Sequence, residues 1–184
     1  MTRATLALLC LALVAGCALA ARTPEMHYYV LAAADDVAVR LQAPVKLGTF
    51  TVADPYLTRQ IAYRTSPYQL AYYNYHRWAG SPEALVANAV REHLERATRA
   101  AGGPPLAVSG HVRRLEEVDD PAGWQGAIAL DLTVRLGDAV LLERSYTETE
   151  PAGTHNPEAV VAALSRALTR IMEQVVATLA ERDA

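Results

Sequence analysis

Apolar and polar positions alternate with a period of two over much of this chain. The alternation is strictest in one predicted strand, whose opposite face carries small, charged or hydroxyl side chains and should be half solvated. Gly137-Asp138 then gives a two-residue hairpin signal, after which the alternation returns. The apolar face of the strictest strand consists of Ile128, Leu130, Leu132, Val134 and Leu136.

Weaker alternation predicts several further strands. Pro44 interrupts one of them, which indicates a bulge or an edge position because proline cannot donate a ladder hydrogen bond. These strands are predicted at residues 27–33, from 37 to 47, at 61–64, at 69–73 and at 106–112.

Two segments change to helical spacing, and both begin with the same signal. Ser81 and Asn156 are good N-cap residues, and Pro and Glu follow each of them. We expect the first helix to end at Gly102-Gly103. One-sided strands with two amphipathic helices predict an α+β fold, a two-layer sandwich with a mostly antiparallel or mixed sheet and both helices packed on one face. Residues 27–184 should form this single domain.

Residues 1–16 have the pattern of a secretory signal peptide, with one basic residue before an apolar run and small residues. The stretch Leu13-Val14-Ala15-Gly16-Cys17 resembles a lipobox, the site at which bacterial lipoproteins are acylated and cleaved. This resemblance implies that Cys17 carries covalent acyl chains such as palmitate and that residues 17–26 form a lipidated tether. The alternative is an ordinary signal peptide that contains a cysteine. A membrane-spanning helix needs roughly 20 apolar residues, more than this run has.

Composition narrows the functional classes. The formal net charge is −3, so no nucleic-acid surface is expected. Apart from Cys10 in the predicted signal and Cys17, the chain has no cysteine for a disulfide, a thiol nucleophile or a thiolate metal site. The nine residues that follow Cys17 in the tether reach at most about 30 Å when extended, which should keep the periplasmic domain close to its membrane.

The polar motifs form no catalytic constellation. No two of the five histidines have metal-binding spacing such as i, i+4. Ser109-Gly110-His111 lies in a predicted strand, without the Gly-x-Ser-x-Gly elbow of hydrolases. Glu116-Glu117 and Asp119-Asp120 could carry acid–base chemistry, but a solvated hairpin end is the stronger interpretation. We therefore predict that the protein is not an enzyme and has no metal or other cofactor apart from its acyl chains.

Six of the nine tyrosines lie within residues 53–80, and Trp78 lies beside them. Either these rings cover the sheet and fill the core, or they form a partner-binding face, since Tyr, Trp and Arg are favoured at interfaces. Both interpretations can hold, because alternate residues of a strand face opposite ways. The candidates for partner binding are Tyr56, Leu57, Arg59, Arg64, Tyr72, Tyr73, Tyr75 and Trp78.

The order of these motifs resembles a known family. The lipobox is followed by Tyr-Tyr-Val-Leu at 28–31, Pro-Tyr-Leu-Thr-Arg-Gln-Ile at 55–61 with Arg64, an aromatic run ending in Trp78, and a helix opening near Pro82. Together they are similar to the ABC-type transport auxiliary lipoproteins, which include the lipoprotein subunit of the paraquat-inducible MCE system. The resemblance spans essentially the whole mature chain.

The resemblance implies a non-enzymatic auxiliary subunit of an MCE-type ABC transporter for lipids or other hydrophobic compounds. Such a subunit binds a periplasmic MCE-domain protein and docks the complex to the outer membrane. Ala18 rather than Asp follows Cys17, which by resemblance to lipoproteins of Gram-negative bacteria favours the periplasmic face of the outer membrane. The alternative function is a periplasmic lipid-binding carrier that holds an acyl chain between the sheet and a helix.

Overall fold

The computed structural model describes residues 24–33, 41, 43–98, 102–121 and 123–183. These residues form one mixed seven-stranded sheet and two α-helices, which confirms the predicted α+β class. A short 3₁₀ helix, Asp54–Tyr56, precedes the third strand. The strands are β1 (His27–Tyr29), β2 (Val45–Val52), β3 (Gln60–Ser66), β4 (Gln69–Trp78), β5 (Leu106–Asp120), β6 (Gly123–Leu136) and β7 (Ala139–Pro151), and the helices are α1 (Pro82–Ala97) and α2 (Pro157–Asp183).

The long strand β5 organises the sheet. Its first half pairs in parallel with β2, its second half pairs in parallel with β3, and β6 pairs antiparallel along its length. Across the sheet the order is β1-β4-β3-β5-β6-β7, with β1 parallel to β4 at one edge and β7 at the other. β2 and β3 thus pair with successive halves of β5. Residues 60–78, which form β3, β4 and their turn, therefore lie beside the second half of β5.

Both helices pack on one face of the sheet, where α1 lies over β2 and β5 and α2 buries the apolar face predicted for β6. Gly126 lies on this face, where a Cβ added to it would be 2.6 Å from the backbone nitrogen of Leu164 in α2. Glycine therefore permits the close approach of the helix to the strand. The fully buried side chains between α2 and the sheet include Ile128, Leu130, Leu132, Leu164, Leu168 and Ile171, and each stabilises the fold by about 1.5–3 kcal/mol relative to exposure.

The opposite face of the sheet is largely polar, and among the described residues the short 3₁₀ helix, rather than an α-helix, packs on it. Arg113 and Ser145 donate hydrogen bonds to the carboxylate of Asp131, over 2.8 and 2.6 Å respectively. Ala127 and Ala129 point to this face but are buried. The face is thus solvated only over part of its area.

Helix boundaries agree only partly with the predicted signals. Asn156 caps α2, because its Oδ1 accepts the backbone N–H of Ala159 at 2.8 Å. Ser81 occupies the N-cap position of α1, but its side chain makes no capping hydrogen bond. The predicted end of α1 at Gly102-Gly103 is wrong: the helix ends at Ala97, because Thr98 is extended and bridges Leu41.

The strands near the N-terminus also differ from the prediction. β1 has three residues instead of the seven predicted, although the alternation holds, since Tyr28 and Val30 are exposed while Leu31 is buried. For the strand predicted from residue 37 and interrupted at Pro44, the part after the proline is observed as β2, which extends to Val52. Residues 34–40, like residues 1–23 with Cys17 and Ala18, lie outside the described residues.

Candidate partner-binding site

The strand register divides the aromatic segment between the two faces of the sheet. Residues paired across neighbouring strands lie side by side on one face. Ala62 pairs with Glu116 on one side and with Tyr72 on the other. One position further along, Tyr63 pairs with Glu117. Glu117 also pairs with Gly126, which faces α2, so Glu117 points to the helix side and Glu116 to the opposite side.

Glu116 is a fully buried carboxylate with four hydrogen-bond donors. Tyr56 donates its hydroxyl to Oε2 at 2.6 Å, and Arg64 donates to both carboxylate oxygens, at 2.7 and 3.1 Å. Arg114 donates to Oε1 at 2.6 Å. Burial alone would raise the pKa of Glu116, but the hydrogen bonds from Arg64 and Tyr56 and the charge of Arg114 outweigh it and lower this pKa. Glu116 is therefore ionised and holds the 3₁₀ helix, β3 and β5 together.

Glu117 is equally buried but has a different environment. Tyr73 donates its hydroxyl to Oε2 at 2.8 Å. Burial, reinforced by the charge of Asp119 and only partly opposed by this hydrogen bond, raises the pKa of Glu117 to about 7. The two adjacent glutamates thus differ in protonation near neutral pH, because Glu116 is hydrogen-bonded to two arginines whereas Glu117 is hydrogen-bonded to a tyrosine.

The interpretation of the acidic cluster as a solvated hairpin end is wrong for Glu116 and Glu117. β3 pairs with β5 at both positions, Tyr56 of the 3₁₀ helix covers Glu116, and Tyr73 of β4 lies against Glu117. Among the four acidic residues, Asp119 is exposed as expected. Within the described residues, no group of three or more His, Cys, Asp or Glu side chains is arranged to hold a metal ion.

Most of the predicted partner-binding residues make contacts within the domain. Tyr56 and Trp78 are 6% and 1% exposed and belong to the core. Arg59 donates to the carbonyl oxygens of Trp78 and Ala79 at 3.3 and 2.8 Å, which closes the end of β4. Tyr72 donates its hydroxyl to the carbonyl of Pro55 at 2.9 Å. For Tyr56 and Trp78, the core interpretation is therefore the one that applies.

A contiguous row of rings lies on the helix side of β3, β4 and β1. The rings of Tyr63 and Tyr73 have centroids 4.8 Å apart, and Tyr73 meets His76 edge-on at 5.4 Å. The hydroxyl of Tyr29 lies 2.9 Å from Nδ1 of His76, and His27 stacks on the same imidazole. Burial, followed by the charge of His27, lowers the pKa of His76. This row joins the three strands at the edge of the sheet.

Three apolar side chains of the segment are exposed. Leu57 is 62% and Tyr75 43% exposed, as a partner-binding role requires. Tyr68 is 97% exposed at the tip of the β3–β4 hairpin and was not among the predicted candidates. The signal for it was Ser66-Pro67-Tyr68, a turn sequence between two predicted strands.

The hairpin tip is held by the buried ion pair. Arg64, which bonds Glu116 through Nε and Nη2, also donates from Nη1 to the carbonyl of Pro67 at 3.3 Å. The backbone N–H of Tyr68 donates to the hydroxyl of Ser66 at 3.3 Å. The burial of Glu116 and the presentation of Tyr68 are therefore linked through one guanidinium group.

Comparison with known proteins adds sequence and fold relationships. A family model described as "ABC-type transport auxiliary lipoprotein component" matches residues 29–176. The crystal structure of protein XCC0632 from Xanthomonas campestris is similar, with a TM-score of 0.62 and 19% identity, over 85% of this chain and 97% of that one. The crystal structure of an uncharacterized protein has a TM-score of 0.63 and 14% identity, over 88% and 100%. At these identities the two structures establish the fold alone. No curated protein matches the chain significantly.

Proposed function

This chain belongs to the ABC-type transport auxiliary lipoproteins, and from that membership we propose that it docks an MCE-type ABC transporter to the outer membrane. In this proposal Cys17 carries the acyl chains, and the domain binds a periplasmic MCE-domain protein. The complex then moves lipids or other hydrophobic compounds. Family membership supports a membrane-anchored transport component. The MCE system, the docking role and the outer-membrane location are our proposal.

The observation that carries the proposal is the fully exposed tyrosine at the hairpin tip. Tyrosine buries a large area on binding while keeping a polar end, and tyrosine is enriched among the residues that dominate binding energy. Because Arg64 braces the turn at Pro67, Tyr68 is presented on an ordered hairpin. An ordered anchor loses less conformational entropy on binding than a mobile one. Leu57 and Tyr75 supply further exposed apolar area on the same segment.

The predicted arginines have supporting positions in this proposal. Arg64 is hydrogen-bonded to Glu116 and to the turn carbonyl of Pro67, and Arg59 is hydrogen-bonded to the backbone that follows β4. Substituting Arg64 should weaken partner binding by loosening the turn that presents Tyr68, and substituting Arg59 should do so by disturbing the end of β4. Arg59→Glu should therefore abolish co-purification with an MCE-domain protein, and its thermal unfolding must be measured alongside to show that the domain remains folded.

The experiment that tests the function is affinity purification of the acylated full-length protein from gently solubilised envelopes, with mass spectrometry of what accompanies it. The wild type should recover an MCE-domain protein with its ATPase or permease. Tyr68→Ala should lose most of that recovery, because truncating a binding hot spot costs about 2 kcal/mol or more, which is roughly thirtyfold in affinity.

Val140→Ala is the matched control, since Val140 is an exposed apolar residue on β7, outside the aromatic segment, and is 41% accessible. It should retain the partner. Recovery of the wild-type lipoprotein without any transporter subunit would contradict the proposed function. Equal recovery with Tyr68→Ala and wild type would retain the transporter role and remove Tyr68 from the interface.

The proposed location depends on two residues near the N-terminus. Cys17→Ala should release the protein from the membrane, because the acyl chains would have no attachment site. Ala18→Asp should move it from outer-membrane to inner-membrane fractions on a density gradient, by the sorting behaviour of Gram-negative lipoproteins. An unchanged gradient position for Ala18→Asp would contradict the role given to that residue.

The alternative function of a lipid-binding carrier gains no specific support from the described residues. The layer between sheet and helices is filled by buried side chains, and at Gly126 the strand approaches the backbone of α2 too closely even for an added Cβ. Native mass spectrometry of the protein should accordingly show no lipid bound apart from the acyl chains on Cys17.

A further inference from the structure

The free edge of β1 presents two apolar side chains to solvent. Tyr28 is 59% and Val30 57% exposed, whereas Leu31 is buried and Tyr29 partly buried. The backbone is held on both sides of Val30, because the carbonyl of Tyr29 accepts the N–H of Ala79 at 2.8 Å and the N–H of Ala32 donates to Oγ of Ser165 at 3.1 Å. The two exposed side chains therefore lie on an ordered part of the chain at the edge of the sheet.

An unpaired cation lies beside them. Arg77 of β4 is in register with Tyr28, so both side chains occupy the same face, opposite to the one that buries Trp78. Among the described residues Arg77 has no hydrogen-bond or ion-pair partner, and its Nε is buried without one. Every other arginine of the aromatic segment is hydrogen-bonded inside the domain. Arg77 is thus available for an anionic group next to an exposed tyrosine and valine.

The position of this surface along the chain indicates its partner. Six residues separate Cys17 from Pro24, the first described residue, and the seven Cα–Cα steps between the two span at most about 25 Å. Tyr28 and Val30 are the first exposed large apolar residues after that point. Tyrosine is enriched where a membrane meets water, and arginine binds phosphate through its planar fork of donors. The chemistry of the surface fits a phospholipid headgroup layer.

We propose that Tyr28, Val30 and Arg77 form a membrane-contact surface that rests on the phospholipid headgroups beside the acyl anchor. The inference depends on the proposed acylation of Cys17, because that anchor brings the β1 edge to the lipid. The acyl chains supply the affinity, and the contact surface sets the orientation of the domain. A second, weaker membrane signal next to a lipid anchor acts in this way.

A lipid-borne quencher tests the proposal in the acylated full-length protein. Val30→Cys and Val140→Cys introduce a thiol at two exposed valines, the second 41% accessible on β7. The two valines lie on opposite edges of the sheet, five strand spacings or about 24 Å apart across it. In the mature acylated chain either introduced thiol is the single free one, so a fluorophore reports one position. The protein is reconstituted into vesicles of phosphatidylethanolamine and phosphatidylglycerol, with nitroxide-labelled lipid as the quencher.

We expect the label at position 30 to be quenched several-fold more strongly than the label at position 140, and Arg77→Glu to reduce that difference. Equal quenching in protein that floats with the vesicles would overturn the contact surface while leaving the anchor intact. Iodide in the buffer should quench the fluorophore at position 30 before vesicles are added. Protection from iodide at that stage would mean that a second copy of the chain covers the surface, and it would overturn the lipid assignment. Failure to float would overturn the anchor, and with it both proposals.

Discussion

Replacing Glu117 with glutamine isolates the contribution of one buried carboxyl group to stability. Glutamine keeps the size of the side chain and an acceptor for the hydroxyl of Tyr73, which lies 2.8 Å from Oε2, but it cannot ionise. In the wild type, burial raises the pKa of Glu117 from its ordinary value of 4.5 to about 7. The folded protein therefore favours the protonated form more strongly than the unfolded chain does.

The sign of the effect follows from proton linkage. Below pH 4.5 the carboxyl is protonated in both states, and its full contribution is present. Between 4.5 and about 7 the unfolded chain loses the proton first, so the free energy of unfolding falls as the pH rises. One pKa unit corresponds to about 1.4 kcal/mol, so the wild type should lose about 3 kcal/mol relative to Glu117→Gln over this range.

Urea unfolding of both proteins from about pH 4.5 to about pH 8 measures this difference. The two proteins are compared at each pH because His93 has the opposite effect on stability. Burial lowers the pKa of His93 to about 4, so its contribution to the free energy of unfolding grows as the pH rises toward 6.5. Glu143→Gln, at an exposed position on β7, is the control and should show no comparable trend. A difference between Glu117→Gln and wild type that stays constant across this pH range would refute the assignment of a raised pKa to Glu117.

Two further changes test the packing and the buried ion pair. Gly126→Ala should lower the free energy of unfolding by about 1–3 kcal/mol in urea, because the new Cβ would meet the backbone nitrogen of Leu164 at 2.6 Å. At Gly102, where no described atom lies within 4 Å of an added Cβ, substitution by alanine should change it by less than about 0.5 kcal/mol. Tyr56→Phe should cost about 1.5–3 kcal/mol in the same assay, since it removes a hydrogen bond to the ionised Glu116. Equal stability of Tyr56→Phe and wild type would mean that this hydrogen bond makes no net contribution to the free energy of unfolding.

The main elements of the fold could be predicted because they follow local rules. The alternation in β6 identified the face that α2 covers, and Asn156 was correctly identified as a cap. Boundaries that depend on distant contacts could not be predicted in this way. The end of α1 at Ala97 is set by the bridge between Thr98 and Leu41, and no local residue marks that contact.

The candidate site was predictable as a segment but not residue by residue. Exposure of Leu57 and Tyr75 agrees with the partner-binding hypothesis, and burial of Tyr56 and Trp78 agrees with the core hypothesis. Alternation alone could not give these environments, because Tyr56 and Leu57 lie in and directly after a 3₁₀ helix, and the pairing of β4 with β3 shifts register between Ala62 and Gln60. The shift brings Tyr73 and His76 into ring contact, although an odd spacing in a regular strand would place them on opposite faces.

The two adjacent glutamates show why neighbouring residues in a sequence can have different chemistry. Both precede a turn and both appear as part of one acidic run, so a local rule treats them alike. The sheet separates them, because consecutive residues of β5 face opposite layers. Arg64, fifty-two positions away along the chain, reaches only the Glu116 side, and Tyr73 reaches only Glu117. Since the parallel pairing of β3 with β5 brings these partners together, any change that shifts that register by one residue would exchange the two environments and expose the hairpin tip to rearrangement. The stability of the buried pair and the presentation of Tyr68 should therefore be lost together.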